Sequence, residues 1–389
     1  MARGRPRETG CRRVLGVLAA ALLLDSAAAS YFAPGESPGS KYLAGEAKAL
    51  AEAAQKQYGR GYTTRIDAER HIVYVSALDQ YTLGRVMGLL GTFADSQRQL
   101  LFPRPLPWNV TVVLPTFADY RKPLPRVNAA GHYEAATRVL ESISLSDVLL
   151  HEFTHALHHA DQVRSDQRHA VWICEGLASL FQRSTMREGR LEVLLGRDLA
   201  GLQEAVKNRK APAVAALCAM DQQTFLSDAN LCYAQAHYLM FYLNSQGKLK
   251  SFYENYKADY AADRTGAAAL AKTLGKTLGE AEADWRRWLL EQEPPWTPAR
   301  PSKALLGVKM EPAEQGVRVA GLIRGSTAES AGQLKVGDTV VSVAGQSTRT
   351  PPDLTAAVQT CQPWETIDIE VIRDGRTMLI RQLLSVMPP

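Results

Sequence analysis

The sequence predicts an α+β protein in two parts: a mixed-sheet lobe joined to a helical lobe, followed by a small, mostly-β domain. Three observations predict it. Short runs of β-branched and aromatic residues alternate with helical patterns up to about residue 144. The stretch from 147 to 292 then reads as almost wholly helical. A cluster of prolines ends it, and beyond that point Gly-rich turns separate short strands.

The elements follow in order. Residues 41–57, rich in Ala, Lys and Glu, read as a helix, and 71–77 (His-Ile-Val-Tyr-Val-Ser-Ala) as a strand. Residues 82–101 return to helical spacing, 108–114 form a clear strand, and another strand falls near 137–144. The next helix starts between Ser144 and Asp147, where Ser144-x-x-Asp147 resembles a capping box. Leu149, Phe153, Ala156 and Ala160 form its core face, whereas His151, His155 and His158 occupy another. Helical patterns recur at 198–208, 230–245, 249–261 and 279–292. Strands follow at 316–322, 339–343, 367–373 and 378–383, with one helix near 352–359. These patterns divide the chain into segments 1–29, 30–64, 65–293, a Pro-rich linker at 294–302, and 303–389.

The 389 residues, 46% apolar and 22% charged, are too many for one ordinary domain and suit globular cores. Five arginines at 3, 5, 7, 12 and 13 precede the apolar run 14–24 and the small residues Ser26-Ala27-Ala28-Ala29. This pattern reads as an export signal cleaved after Ala29, placing the protein in the periplasm or outside the cell. The apolar run is shorter than the roughly 20 residues that span a bilayer, so membrane attachment requires the signal to stay uncleaved. Losing residues 1–29 lowers the formal net charge from +5 to +2. With no basic stripe interleaved with aromatics, nucleic acid is not an expected partner. Cys174, Cys218, Cys232 and Cys361 remain in a compartment that permits disulfides. Cys218–Cys232 closes the shortest loop, with free buried thiols as the equal alternative. Asn109-Val-Thr111 is a glycosylation sequon, but its place in a strand reads as accidental.

Residues 151–155 read His-Glu-Phe-Thr-His. Helical positions four apart lie about 40° apart around the axis, so His151 and His155 project side by side. Two neutral imidazoles at that spacing can bind one tetrahedral Zn²⁺. Glu152, about 100° round from His151, then stands near the fourth coordination position, where a water would sit. Glu175, in Trp-Ile-Cys-Glu-Gly-Leu-Ala at 172–178, supplies an anionic third ligand and keeps that position open. The glycine beside it would let its helix pack closely.

Residues 148–157 (Val-Leu-Leu-His-Glu-Phe-Thr-His-Ala-Leu) with 172–178 resemble the gluzincins, and within them most closely the bacterial peptidase MA-like metallopeptidases. Ala-Gly-His-Tyr at 130–133 and Tyr-Ala-Gln-Ala-His-Tyr-Leu-Met-Phe-Tyr-Leu at 233–243 are similar to the same family, over roughly 65–292. The resemblance implies a zincin-like catalytic domain holding Zn²⁺ through His151, His155 and Glu175, with Glu152 as the general base. It also implies a Tyr or His donor from a downstream helix, which makes Tyr233 and His237 candidates against a plain packing role. Some zincins take their third ligand six residues after the second histidine, here Asp161. They place Gly three residues after that histidine, where this chain has His158. His158 and His159 therefore read as exposed or supporting residues, and His71, His132 and His169 as surface or core ones.

Leu305-Leu306-Gly307-Val308, the run Gly325–Gly332, Leu334-Lys-Val-Gly-Asp338 and residues 340–345 resemble a PDZ domain of the kind attached to bacterial exported proteases. That resemblance implies that Leu306, Gly307 and Val308 offer backbone N–H groups to a peptide's terminal carboxylate. The peptide adds as a strand beside the helix at 353–359. The plainer alternative is a domain that only packs on the catalytic unit. Together these features predict an exported zinc peptidase acting on protein or peptide substrates, with a PDZ domain binding peptide C-termini or extended segments. The rival expectation is a catalytically silent zincin-fold PDZ adaptor, which the intact ligands and Glu152 argue against.

Overall fold

The computed structural model describes residues 39–116, 119–120, 131–145, 147–187, 190–196, 198–294, 304–324, 326–331, 333–361 and 365–386. The expected export signal, the leader before Gly39, nearly all of the Pro-rich linker, and the turn glycines Gly325 and Gly332 lie outside the described residues. Among the described residues no helix is long and apolar enough to cross a membrane.

Five strands make the first sheet: β1 (Thr63–Asp67), β2 (Ile72–Ser76), β3 (Val110–Leu114), β4 (Gly131–Glu134) and β5 (Val139–Ser142). Their order is β1-β2-β3-β5-β4, with β2, β3 and β5 parallel and the two outer strands antiparallel. Both faces of the centre are covered, which is why β2 and β3 read as unbroken apolar runs. Val73, Val75 and Val113 pack on helix α1 (Ser40–Tyr58) through Ala47, Leu50 and Ala54. Ile72, Tyr74, Val110, Val112 and Leu140 face the main core. Strand β1 escapes the sequence reading because Thr-Thr-Arg-Ile-Asp is a half-exposed edge without an apolar alternation. Helix α2 (Gln80–Leu100) follows, its first turn capped by Asp79 accepting from the Tyr81 and Thr82 amides.

Helix α3 (Asp147–Ser165) begins at the late end of the expected window. Leu149, Phe153, Ala156 and Ala160 are each at most 2% exposed, so the predicted core face is the observed one. Helix α4 (Val171–Gln182) follows, and then a hairpin of β6 (Ser184–Arg187) and β7 (Arg190–Val193) interrupts the stretch read as helical. The helical lobe continues with α5 (Asp198–Lys207), α6 (Val214–Ala219), α7 (Gln222–Ser227), α8 (Ala229–Ser245), α9 (Leu249–Asp259), α10 (Ala267–Leu274) and α11 (Leu278–Glu291). A capping box of Thr277 and Glu280 starts α11.

Helices α4 and α8 touch at Gly176. A Cβ there would lie 2.9 Å from the Ala236 carbonyl oxygen and 2.9 Å from Met240 Cγ. Gly176→Ala gains up to about 1 kcal/mol in helix propensity. Overpacking against a backbone atom costs about 1–3 kcal/mol, so the net expectation is a lower midpoint in a denaturant titration. An unchanged or raised midpoint would contradict this close packing.

Of the two alternatives for Cys218 and Cys232, a bridge or free buried thiols, the second is found: all four described cysteines are free. Cys232 Sγ instead lies 3.8 Å from Met220 Sδ, and burial pushes the Cys218 thiol up to about 12.

The C-terminal domain opens with β8 (Ala304–Leu305), β9 (Val308–Ala313), β10 (Gly316–Leu322) and the short helix α12 (Thr327–Ala331). It continues with β11 (Thr339–Val343), β12 (Gln346–Ser347), α13 (Pro351–Gln359), β13 (Thr366–Arg373), β14 (Arg376–Leu383) and β15 (Ser385–Val386). Its sheet runs β14-β13-β11-β10-β9, with β12 on β11 and β15 on β8. Leu306, Val317, Val340, Leu354, Ile369 and Val371 belong to its separate core.

Candidate functional site

Two consecutive helices bring three donor atoms to one point. His151 Nε2 and His155 Nε2 lie 3.1 Å apart on adjacent turns of α3. Glu175 Oε2, from α4, lies 3.4 Å from each of them. A tetrahedral ion with bonds of about 2.1 Å spaces its ligands by about 3.4 Å, so these three atoms match the edges of such a site. Glu175 Oε2 is buried and makes no hydrogen bond of good geometry, the state expected of an atom shaped for a cation. His151 donates Nδ1–H to Gln182 Oε1 at 3.0 Å, which turns the Nε2 lone pair towards the other two donors. The residues present therefore fit a metal ion.

The electrostatics agree. Burial opposes charge on His155, but the Glu175 carboxylate beside it prevails and lifts the imidazole to about 9. Burial likewise opposes charge on Glu175, yet His155 and His151 hold its carboxyl far below the usual range. The Glu175 carboxylate thus draws positive charge to the point where the three donors meet. The side chains of His151, His155 and Glu175 are 13%, 20% and 18% exposed, so the cluster lies near the surface rather than deep in the core.

Glu152 is half-buried, and its charge acts on His132 from edge strand β4, on Tyr120 and on Tyr233. Tyr233, on α8, stands beside the site: its ring centroid is 6.3 Å from that of His151, and the Glu175 charge acts on its hydroxyl. Burial, then Glu175, raises its hydroxyl above the ordinary range and keeps the proton on it. His237 does not join this group among the described contacts. It is buried one turn further along α8, with Nδ1 3.1 Å from Asp198 Oδ2. Gln182 and His132 were missed by sequence reasoning. Gln182 had a signal, since it follows Glu175 by seven residues and so shares its face of α4. His132 lay in the Ala-Gly-His-Tyr run of the family resemblance but read as a surface or core residue, because only the strand pairing carries β4 to the motif helix.

Asp161 points elsewhere, accepting from Lys257 Nζ at 2.8 Å and from the Tyr253 hydroxyl at 2.7 Å. Of the two readings of His158, exposed or supporting, burial removes the first. Phe102 stacks on it and Tyr253 covers it, and its Nε2 lies 2.7 Å from His169 Nδ1. His169 donates Nε2–H to Gln167 at 3.0 Å, so His158 is the donor within the pair. His159 meets the Tyr133 hydroxyl at 3.1 Å, and His71 donates to the Leu106 carbonyl at 2.6 Å.

Burial holds both paired imidazoles neutral, His169 down to about 4. Because these folded-state values lie below the unfolded one, the unfolded chain binds more protons as pH falls below about 6.5. Stability is therefore expected to fall from pH 7 towards pH 4, by at most about 1.4 kcal/mol per pH unit for each proton. His169→Phe should flatten that slope in a series of melting curves; an identical slope would exclude this pair as its source.

In the C-terminal domain, Gly307 adopts φ +80°. Its carbonyl accepts from the Ile323 amide at 2.8 Å and the Ser326 hydroxyl at 3.1 Å. A Cβ there would sit 2.4 Å from Ser326 Cβ, so the turn requires glycine. Leu306 and Val308 are buried beside it, and a cleft runs from Leu305–Val308 between β9 and α13, past Leu354 and Val358. Strand β9 is the outer strand of its sheet.

Residues 304–381 match the PDZ domain family, and this part of the chain is a PDZ domain. No curated protein matches the chain. Among solved structures, the chain is similar to the HtrA-type protease AlgW with a decapeptide, at 20% identity over 28% of this chain and 35% of that one, TM-score 0.22. The same protease with a tripeptide matches at 20% identity over 28% and 38%, TM-score 0.22. An aminopeptidase N family protein from Idiomarina loihiensis matches at 13% identity over 84% of this chain and 67% of that one, TM-score 0.37. The chain thus spans about a third of the length of the HtrA-type structures. These structural neighbours are peptidases.

Proposed function

We propose that this protein is an exported zinc-dependent peptidase of gluzincin type, in a catalytic domain spanning 65–293, whose PDZ domain binds substrate or partner peptides. The observation that carries the reading is the spacing of His151 Nε2, His155 Nε2 and Glu175 Oε2 at 3.1–3.4 Å, with Glu152 on the same helix. A zinc ion held there supplies Lewis acidity, which lowers the pKa of a water and polarises a carbonyl. Glu152 takes the proton of the attacking water and passes it to the leaving amine. The Tyr233 hydroxyl, kept protonated, donates to the oxygen on which charge develops. His237, buried and paired with Asp198, ties α8 to α5 in this reading. The PDZ cleft takes an extended peptide beside β9, with the turn at Gly307 facing its carboxylate.

The test is metal analysis of the full chain together with cleavage of unfolded casein by the wild type and by Glu152→Gln. Zinc near one per chain, with cleavage lost in the variant, supports the enzyme. Zinc without cleavage in either protein supports the adaptor, and no zinc at all rejects both.

A further inference from the structure

Strand β13 reads Thr-Ile-Asp-Ile-Glu-Val-Ile-Arg. Ile367, Ile369 and Val371 enter the PDZ core, so the alternation sends Asp368 and Glu370 to the opposite face, which in an isolated domain meets water. Glu370 is nevertheless only 1% exposed. Its Oε2 accepts the backbone N–H of Leu145 at 2.8 Å. Thr377, on the paired strand and also 1% exposed, donates its hydroxyl to the Ile143 carbonyl at 3.0 Å. Beside them, Arg85 of α2 grips both oxygens of Asp368 at 2.7 and 3.3 Å. All three contacts lie on one face of the PDZ sheet. Two of them hold the segment that joins β5 to α3, the helix bearing His151, Glu152 and His155.

From this we infer that Glu370 is a positioning residue for the candidate metal centre, rather than a surface residue of a tethered module. A buried carboxylate with a backbone N–H partner is costly to remove and directional, so it fixes the entry of α3. The negative charge also lies just ahead of the helix N-terminus, where the dipole favours it. Among the described residues the cleft is lined by the PDZ domain alone, so this docking leaves it open. The PDZ domain can therefore hold the motif helix and bind a peptide at the same time.

The inference rests on the zinc reading, and the test separates the two. Full-length Glu370→Ala, Glu370→Gln and wild type are compared by zinc affinity, by kcat and KM on unfolded casein, and by amide hydrogen exchange over residues 145–155. Partners that orient metal ligands change affinity or turnover by about 10–100-fold when removed. Glu370→Ala is expected to lose about tenfold in zinc affinity or kcat at near-constant KM, with faster exchange at the start of α3. Glu370→Gln, whose amide oxygen still accepts from Leu145, recovers most of the loss. A PDZ domain that only delivers peptides would move KM instead. If the wild type binds zinc and Glu370→Ala, folded by its melting curve, matches it in affinity, kcat and exchange, the inference is overturned alone. A wild type without zinc overturns both.

Discussion

Glu152→Gln is expected to leave the chain folded and its zinc content unchanged while slowing hydrolysis by about 10²–10⁴-fold, the usual contribution of a positioned proton-transfer group. The amide has the size of the carboxylate and keeps its place on α3, so the ligand atoms of His151, His155 and Glu175 should not move. What it lacks is a basic oxygen to take the water's proton. The loss should fall on kcat, because a group that acts only as charge develops contributes little to substrate binding. Steady-state kinetics and metal analysis on the same preparation check both halves. Activity within a few-fold of wild type would remove Glu152 from the mechanism.

Glu175→Ala should abolish tight metal binding, leaving two imidazoles and no anion. Residues that merely orient ligands change affinity by about 10–100-fold, so loss of a ligand itself should exceed about 100-fold. Asp161→Ala is the matched control. It removes the acceptor for Lys257 and the Tyr253 hydroxyl, so it should cost on the order of 1–3 kcal/mol of stability yet leave zinc in place. Competition with a chelator reads the first effect and denaturant unfolding the second. The opposite pattern, metal lost with Asp161 and kept without Glu175, would reverse the ligand assignment.

Much of this arrangement was legible beforehand because it rests on local periodicity. The two histidines four apart, the core face of α3, and the outlines of α5, α8, α9 and α11 all follow from helical spacing. The PDZ strands followed from alternation and turn glycines, and residues 304–381 match that family. What escaped is what depends on distant partners. Strand β1 and the β6–β7 hairpin carry little apolar pattern of their own. His158 could be read as exposed or as supporting, because the aromatic cover that buries it comes from residues 102 and 253. Loop length alone left the cysteine pair open between a bridge and free thiols; Cys218 and Cys232 sit on different helices and are free. Glu370 fell within the strand read at 367–373, and nothing local announced the backbone amide it would meet.

The contact at Gly176 also works as a gauge. Glu175 is its neighbour in sequence, and Tyr233 stands three residues before Ala236, the residue it touches on α8. The span between the carboxylate and the phenol is therefore set by how near two helices can come when only a hydrogen atom separates them. Any larger side chain at 176 would act as a shim, moving the Tyr233 hydroxyl away from Glu175 while every polar residue kept its identity. In this protein a single missing methyl group holds the reach of one helix towards the residues that α3 and α4 bring together.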